Sequence, residues 1–267
     1  MAENRSSIRE AFREQGDRLR SLGFKPVFIL LTATLIQIIA HFHTSRAAFR
    51  VMFGGIVAGN PFGELYEHCF WLIGDFLLQF PLLLLLIHLV LKETGSDYGI
   101  QTGNWRLGLK VSAILWFCML PILWVVSAGT AFQQVHPAPG LAKTDWKFFA
   151  VYEVCSIVYV IGWEFIWRGY MLFGLKKYFG YYAVFIQMIP FTLLHFGSPE
   201  IETYAAMAAG VGLGLLAFAT RSFWYGVLAH MLILGTIDVF GALRFRAGIT
   251  GVGMVHLLDV ISRNFCP

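Results

Sequence analysis

Seven apolar runs, each long enough or nearly long enough to cross a bilayer, dominate this chain, and a soluble core has no room for so many. They cover residues 27–40, 69–91, 111–128, 148–168, 181–195, 204–220 and 223–240, and a weaker piece at 249–261 offers a short eighth. A hydrocarbon core about 30 Å thick takes ~20 helical residues, and inside it every backbone donor and acceptor has to be satisfied within the segment. The runs are therefore read as helices. Composition agrees: 57% of the 267 residues are apolar and 13% are charged, with a mean hydropathy of +0.66, against roughly 45–50% and about 25% in soluble domains. The predicted fold is all-α, a polytopic membrane helix bundle of about seven to eight transmembrane helices. Residues 1–26 form a cytoplasmic N-terminal segment and 27–267 a single integral membrane domain.

Charge orients the bundle. With the N-terminus inside, thirteen Lys or Arg fall in inside segments and four (Arg46, Arg50, Lys143, Lys147) outside, the bias expected of a cytoplasmic N-terminus. Arg244 and Arg246 break the pattern after the seventh crossing. The formal net charge of +4 arises largely before the first run, so it speaks for topology and against nucleic-acid binding. The first run lacks a small-x-small cleavage site and is expected to be a retained anchor. Cys69, Cys118, Cys155 and Cys266 have no metal-type spacing and read as thiols without a metal or disulfide role; Cys266 precedes only Pro267, so no CaaX signal ends the chain.

Ionisable side chains inside such runs are costly and face protein or a water-filled cavity. Glu164 and Arg168, in WEFIWRG, are four residues apart and so neighbours on a helix face, where the guanidinium can hold and orient the carboxylate. The other reading is an interfacial belt of Trp163 and Trp167 with Arg168 reaching for lipid phosphates. Glu153, eleven residues earlier, either lines a path to the site or makes an interhelical hydrogen bond as a protonated acid. In PFTLLHFGSPE, His195 sits near a helix end stopped by Gly197 and Pro199; in LAHMLILGTID, His230 is embedded in an apolar helix, where a neutral ring with a partner is cheapest. Gly210 and Gly214 have the GxxxG spacing of close helix packing rather than a nucleotide loop.

In that order, WEFIWRG, FTLLHF, GVGLGLLAFATRSFWYG and LAHMLIL resemble the motifs of the CAAX-protease and bacteriocin-processing (Abi) family of intramembrane peptidases: EExxxR before Gly, FxxxH, a Gly-rich helix with a basic turn, and HxxxN or HxxxD. The resemblance runs from Glu164 to about Asp238, with a family-like core at about 97–240. It implies a hydrolase with Glu164, Arg168, His195 and His230 as its catalytic set, acting on a membrane-associated peptide or protein. Two positions depart from the pattern. Trp163 stands where the family has the first Glu, which in prenyl-protein endopeptidases activates water, and Leu234 stands where it has Asn or Asp.

Peptide hydrolysis needs an activated water and stabilisation of the developing oxyanion, and one carboxylate with two histidines supplies a base and polarising donors. The same three residues are candidate ligands for a divalent metal such as zinc, although the close HExxH spacing is absent. The expected protein is an intramembrane endopeptidase of the bacterial cytoplasmic membrane, its partners the bilayer and its substrate. Two alternatives stay open: a catalytically degenerate scaffold or bacteriocin-immunity-type protein of the same fold, and a proton-coupled transporter using Asp75, Glu153, Glu164 and the histidines.

Overall fold

Each of the seven main runs is almost wholly helical, and no strand occurs among the described residues of the computed structural model, which are 2–198 and 200–265. Pro199 and Cys266 lie outside them. α1 (Ala2–Ser21) is a charged helix with an exposed Arg18–Glu14 ion pair at 2.7 Å. α2 (Phe24–Ile39) continues through a wide π-helical turn, Ala40–Thr44, to Ser45, whose hydroxyl accepts from the Ala48 N–H and starts α3 (Arg46–Val57). α4 (Gly63–Gln79) and α5 (Pro81–Leu86) make one span bent at Pro81, which lacks the N–H that a continuous helix would use. α6 (Trp105–Val126) begins where the Asn104 side chain accepts from the Leu107 N–H.

A connecting strap, residues 127–145, carries two short helices, α7 (Thr130–Val135) and α8 (Gly140–Thr144). α9 (Trp146–Glu164) passes through a further π-helical turn, Phe165–Met171, into α10 (Leu172–Phe179). α11 (Tyr182–Leu193) and α12 (Glu200–Thr220) form a hairpin, followed by α13 (Trp224–Ala247) and α14 (Met254–Phe265). Six stretches have the length and apolarity to cross a bilayer: Phe24–Val57, Gly63–Leu91, Trp105–Val126, Trp146–Phe179, Glu200–Thr220 and Trp224–Ala247. The 12-residue α11 is a shorter apolar seventh.

Three expectations change. Residues 46–57, counted as an outside loop, are helical, and Arg46 and Arg50 both bond the Glu67 carboxylate on α4. The polar residues that broke the hydropathy pattern are thus neutralised within the protein. The piece at 249–261 is not a span: its helix, α14, rises about 18 Å and buries only Val260, against Ala247 and Ile249. Arg244 is no loop charge either. It is fully buried, donates to Ser127 Oγ (2.8 Å), Trp124 O (3.0 Å) and Gly251 O (2.8 Å), and stacks 3.6 Å over the Trp124 ring. Arg246 likewise donates to Lys143 O and covers Trp146. Both arginines are spent on the protein, which is why they escape the charge bias.

Segments that the charge count puts on one side meet in space. Lys25 bonds Glu93 (2.7 Å), Gln101 donates to Arg221 O, and Tyr225 donates to Thr102 O. At the other end the strap meets the α3–α4 turn through Gly140 N–H and Glu64, and meets α13 through Arg246. Between the ends, the largest apolar cluster joins Ile29, Leu83, Tyr98, Trp163, Phe165, Trp167, Tyr170, Phe191 and Val227.

Candidate functional site

The polar groups of that cluster converge on Glu164. Its side chain is fully buried, and Oε1 accepts from Arg168 Nη1 at 3.1 Å and from His230 Nδ1 at 2.8 Å. The spacing of four does produce the ion pair, but across the π-helical turn rather than on a regular α-helix. Such wide turns recur at functional sites. Arg168, also fully buried, lies 3.9 Å over the Phe191 ring, so the belt reading with a guanidinium reaching out to lipid does not hold. Glu164 Oε2 has no hydrogen-bond partner among the described residues and points at Gly226, where a Cβ would lie 2.8 Å from it. Gly226 is the residue that lets α13 carry His230 up to the carboxylate.

His195 follows the end of α11. Its Nδ1 lies 2.8 Å from Phe191 O, so it carries the proton and donates, and Thr203 Oγ1 donates to the His195 carbonyl. The ring is within electrostatic range of Glu164, Arg168 and His230. Both histidines therefore have Nδ1 committed, and neither Nε2 has a protein partner among the described residues. Trp163 is buried and meets the His195 ring edge-on at 5.9 Å, so the position that departs from the family pattern faces His195 directly. Leu234 packs against the apolar cluster.

Glu164, His195 and His230, the candidate metal ligands, keep Glu164 Oε2 and both Nε2 atoms uncommitted among the described residues. Glu164 Oε1 is already shared by two donors, and among the described residues no three His, Cys, Asp or Glu side chains are arranged to hold a metal. Asp75 is held by Thr44 and Trp71, away from this group.

A second polar rung spans the same two helices. Glu153 on α9 and Asp238 on α13 lie close enough to interact electrostatically, with Glu153 Oε2 against Gly235 of α13. Glu164 bonds His230 and Glu153 faces Asp238, so the helices run antiparallel, the rungs separated by about 16 Å of rise on α9 and about 12 Å on α13. His136 of the strap closes the second rung, with Nδ1 3.3 Å from Asp238 and Nε2 3.4 Å from Glu202 at the start of α12. Burial alone would lower the His136 pKa, but the hydrogen bonds and charges of Asp238 and Glu202 raise it to about 9. Gly241 allows the His136 carbonyl to lie against α13. His136 lay in a stretch readable only as a Pro-containing loop, and Glu202 looked like an ordinary acid in a first helical turn; neither had a local pattern to mark it.

Fold and site together define a polytopic membrane protein with a buried Glu–Arg pair and two half-buried histidines on separate helices. Residues 145–235 match the model of the family described as Type II CAAX prenyl endopeptidase Rce1-like, and the match runs through all four of these residues. The family suggests a membrane peptidase at the level of the reaction class. No curated protein matches the chain, and no solved structure does.

Proposed function

We propose that the protein is an intramembrane endopeptidase in which Glu164 and His230 act as a dyad on water. The observation that carries this reading is the 2.8 Å contact between His230 Nδ1 and a carboxylate that Arg168 holds in place. A carboxylate on Nδ1 fixes the tautomer with Nε2 as the acceptor and compensates the charge the ring takes on. His230 Nε2 then removes a proton from water as the oxygen attacks the peptide carbonyl carbon. When the C–N bond breaks, the same proton passes to the leaving amine. His195 Nε2 accepts from the same water and holds it towards the carbonyl. Trp163 removes the carboxylate that the family uses at that position, and the base role moves to the histidine. The substrate is a peptide or protein bound at the membrane; prenylation of that substrate is the family's suggestion.

The test is cleavage of membrane peptides, prenylated and unprenylated, by the purified protein in liposomes. His230→Ala and His195→Ala are expected to lose activity while Trp163→Phe keeps it; equal cleavage by all variants rejects the dyad. Activity is expected to survive dialysis against a strong chelator, because no step uses a metal ligand set. Loss on chelation with recovery on adding zinc would overturn that part.

A second reading, a degenerate scaffold of the same fold, is favoured by the Trp163–His195 contact, which fills the place of a missing acid with an indole. Activity appearing only in Trp163→Glu with Leu234→Asn would establish it.

A further inference from the structure

We propose that Cys69 and Cys155 form a reversible disulfide that ties α4 to α9. The two residues come from different spans, yet their Sγ atoms lie 3.2 Å apart. Both are partly buried, whereas Cys118 is exposed on α6. Their approach is held by packing on both sides: Leu65, Leu72, Phe149 and Tyr152 form the buried core of this contact, with Trp71, Phe148 and Tyr159 against it. The thiols therefore stay opposite one another, and a small rotation of each side chain brings the sulfurs to bonding distance.

Position favours oxidation. Cys69 lies in the strap-side half of α4 and Cys155 in the strap-side half of the Trp146–Phe179 span, at the end opposite Lys25, Glu93 and Arg221. With a cytoplasmic N-terminus that end faces the outer compartment, where disulfides form and persist. The oxidant is a disulfide-bearing oxidoreductase or a small disulfide. One thiolate attacks a sulfur of the oxidant and expels a thiol, leaving a mixed disulfide; the second thiolate attacks the protein sulfur of that bond and expels the other thiol. Two protein thiols lose two protons and two electrons, and the oxidant disulfide is reduced to two thiols. The product closes a loop across two spans and fixes α4 on the helix that carries Glu153 and Glu164. This inference is independent of the peptidase reading.

The experiment uses the full chain in liposomes, reduced, freed of reductant and treated with diamide or, separately, with the lipid-permeant copper–phenanthroline complex. After denaturation, intact mass counts maleimide-reactive cysteines. Two of the four cysteines are expected to be protected, with one cross-linked peptide pair containing Cys69 and Cys155. Cys69→Ser and Cys155→Ser are each expected to leave every remaining cysteine reactive. The wild-type Tm should rise on oxidation and fall back with dithiothreitol, because the closed loop constrains the unfolded chain, whereas Cys69→Ser should show neither change. Four reactive cysteines after both oxidants, or a cross-link through Cys118 or Cys266, would overturn the proposal. The wild-type labelling decides the matter even if a serine variant fails to fold.

Discussion

Glu164 Oε1 serves two donors at once, so its substitutions separate chemistry from folding. His230→Ala removes one donor from a half-buried position and is expected to lower kcat about 10²–10⁴-fold, the range for loss of a general base, with little change in Tm. Glu164→Ala leaves the fully buried Arg168 without its partner and should also cost about 3–5 kcal/mol of stability. Thermal unfolding beside peptide cleavage distinguishes the two. Gly226→Ala puts a methyl against Glu164 Oε2, and a fall in kcat without unfolding is expected as the carboxylate turns away from His230. At this scale the sequence was legible where chemistry is local. The Glu164–Arg168 spacing announced the pair, but the bond to His230 joins residues 66 apart. The repeated cost of burying a polar group and the order of the motifs were what placed the three together.

The strap between α6 and α9 is an element held by titratable contacts. His136 faces Asp238 from α13 and Glu202 from α12, with Glu153 of α9 behind Asp238 and Lys143 of α8 within range of it. Its pKa is raised above the ordinary 6.5 to about 9. The charged ring therefore contributes fully below about pH 6.5, and its contribution is lost as the pH rises through about 9. Amide exchange in residues 127–145, corrected for the intrinsic rate, should speed up several-fold between pH 7 and pH 10 in the wild type. His136→Gln should flatten that profile; a wild-type strap equally protected at both pH values would remove the latch. Elements were harder to read than residues wherever charge interrupted hydropathy. α3 was missed because Arg46 and Arg50 look like loop residues until Glu67 of α4 is seen beside them. α14 resembled a weak span because its apolar side is real but covers only one face.

For the whole molecule, a cytoplasmic N-terminus and seven crossings, with α11 as the short one, would put the two termini at opposite ends, and the arginines that seemed to contradict this are internal. Reporter fusions after Lys25 and at the C-terminus are expected to report opposite sides. Arg244→Ala should lower Tm without inverting the chain, since it orphans the carbonyls of Trp124 and Gly251 rather than moving a loop charge. Inversion on that single change would refute the assignment. The bundle was foreseeable because hydropathy is a property of runs, whereas the second rung needed two antiparallel helices, a strap and a hairpin to meet. The π-helical turn at Phe165–Met171 sets the rotational phase between the two halves of the fourth span. Above it α9 keeps Glu153 and Glu164 towards α13; below it α10 presents Gly174 to Ile29 and Tyr98. Rewinding the turn as α-helix with all its residues kept would rotate one half by about 100°. The polar axis and the packing of α10 could then no longer be aligned together, so the winding of this segment constrains the protein as tightly as the identity of any side chain in it.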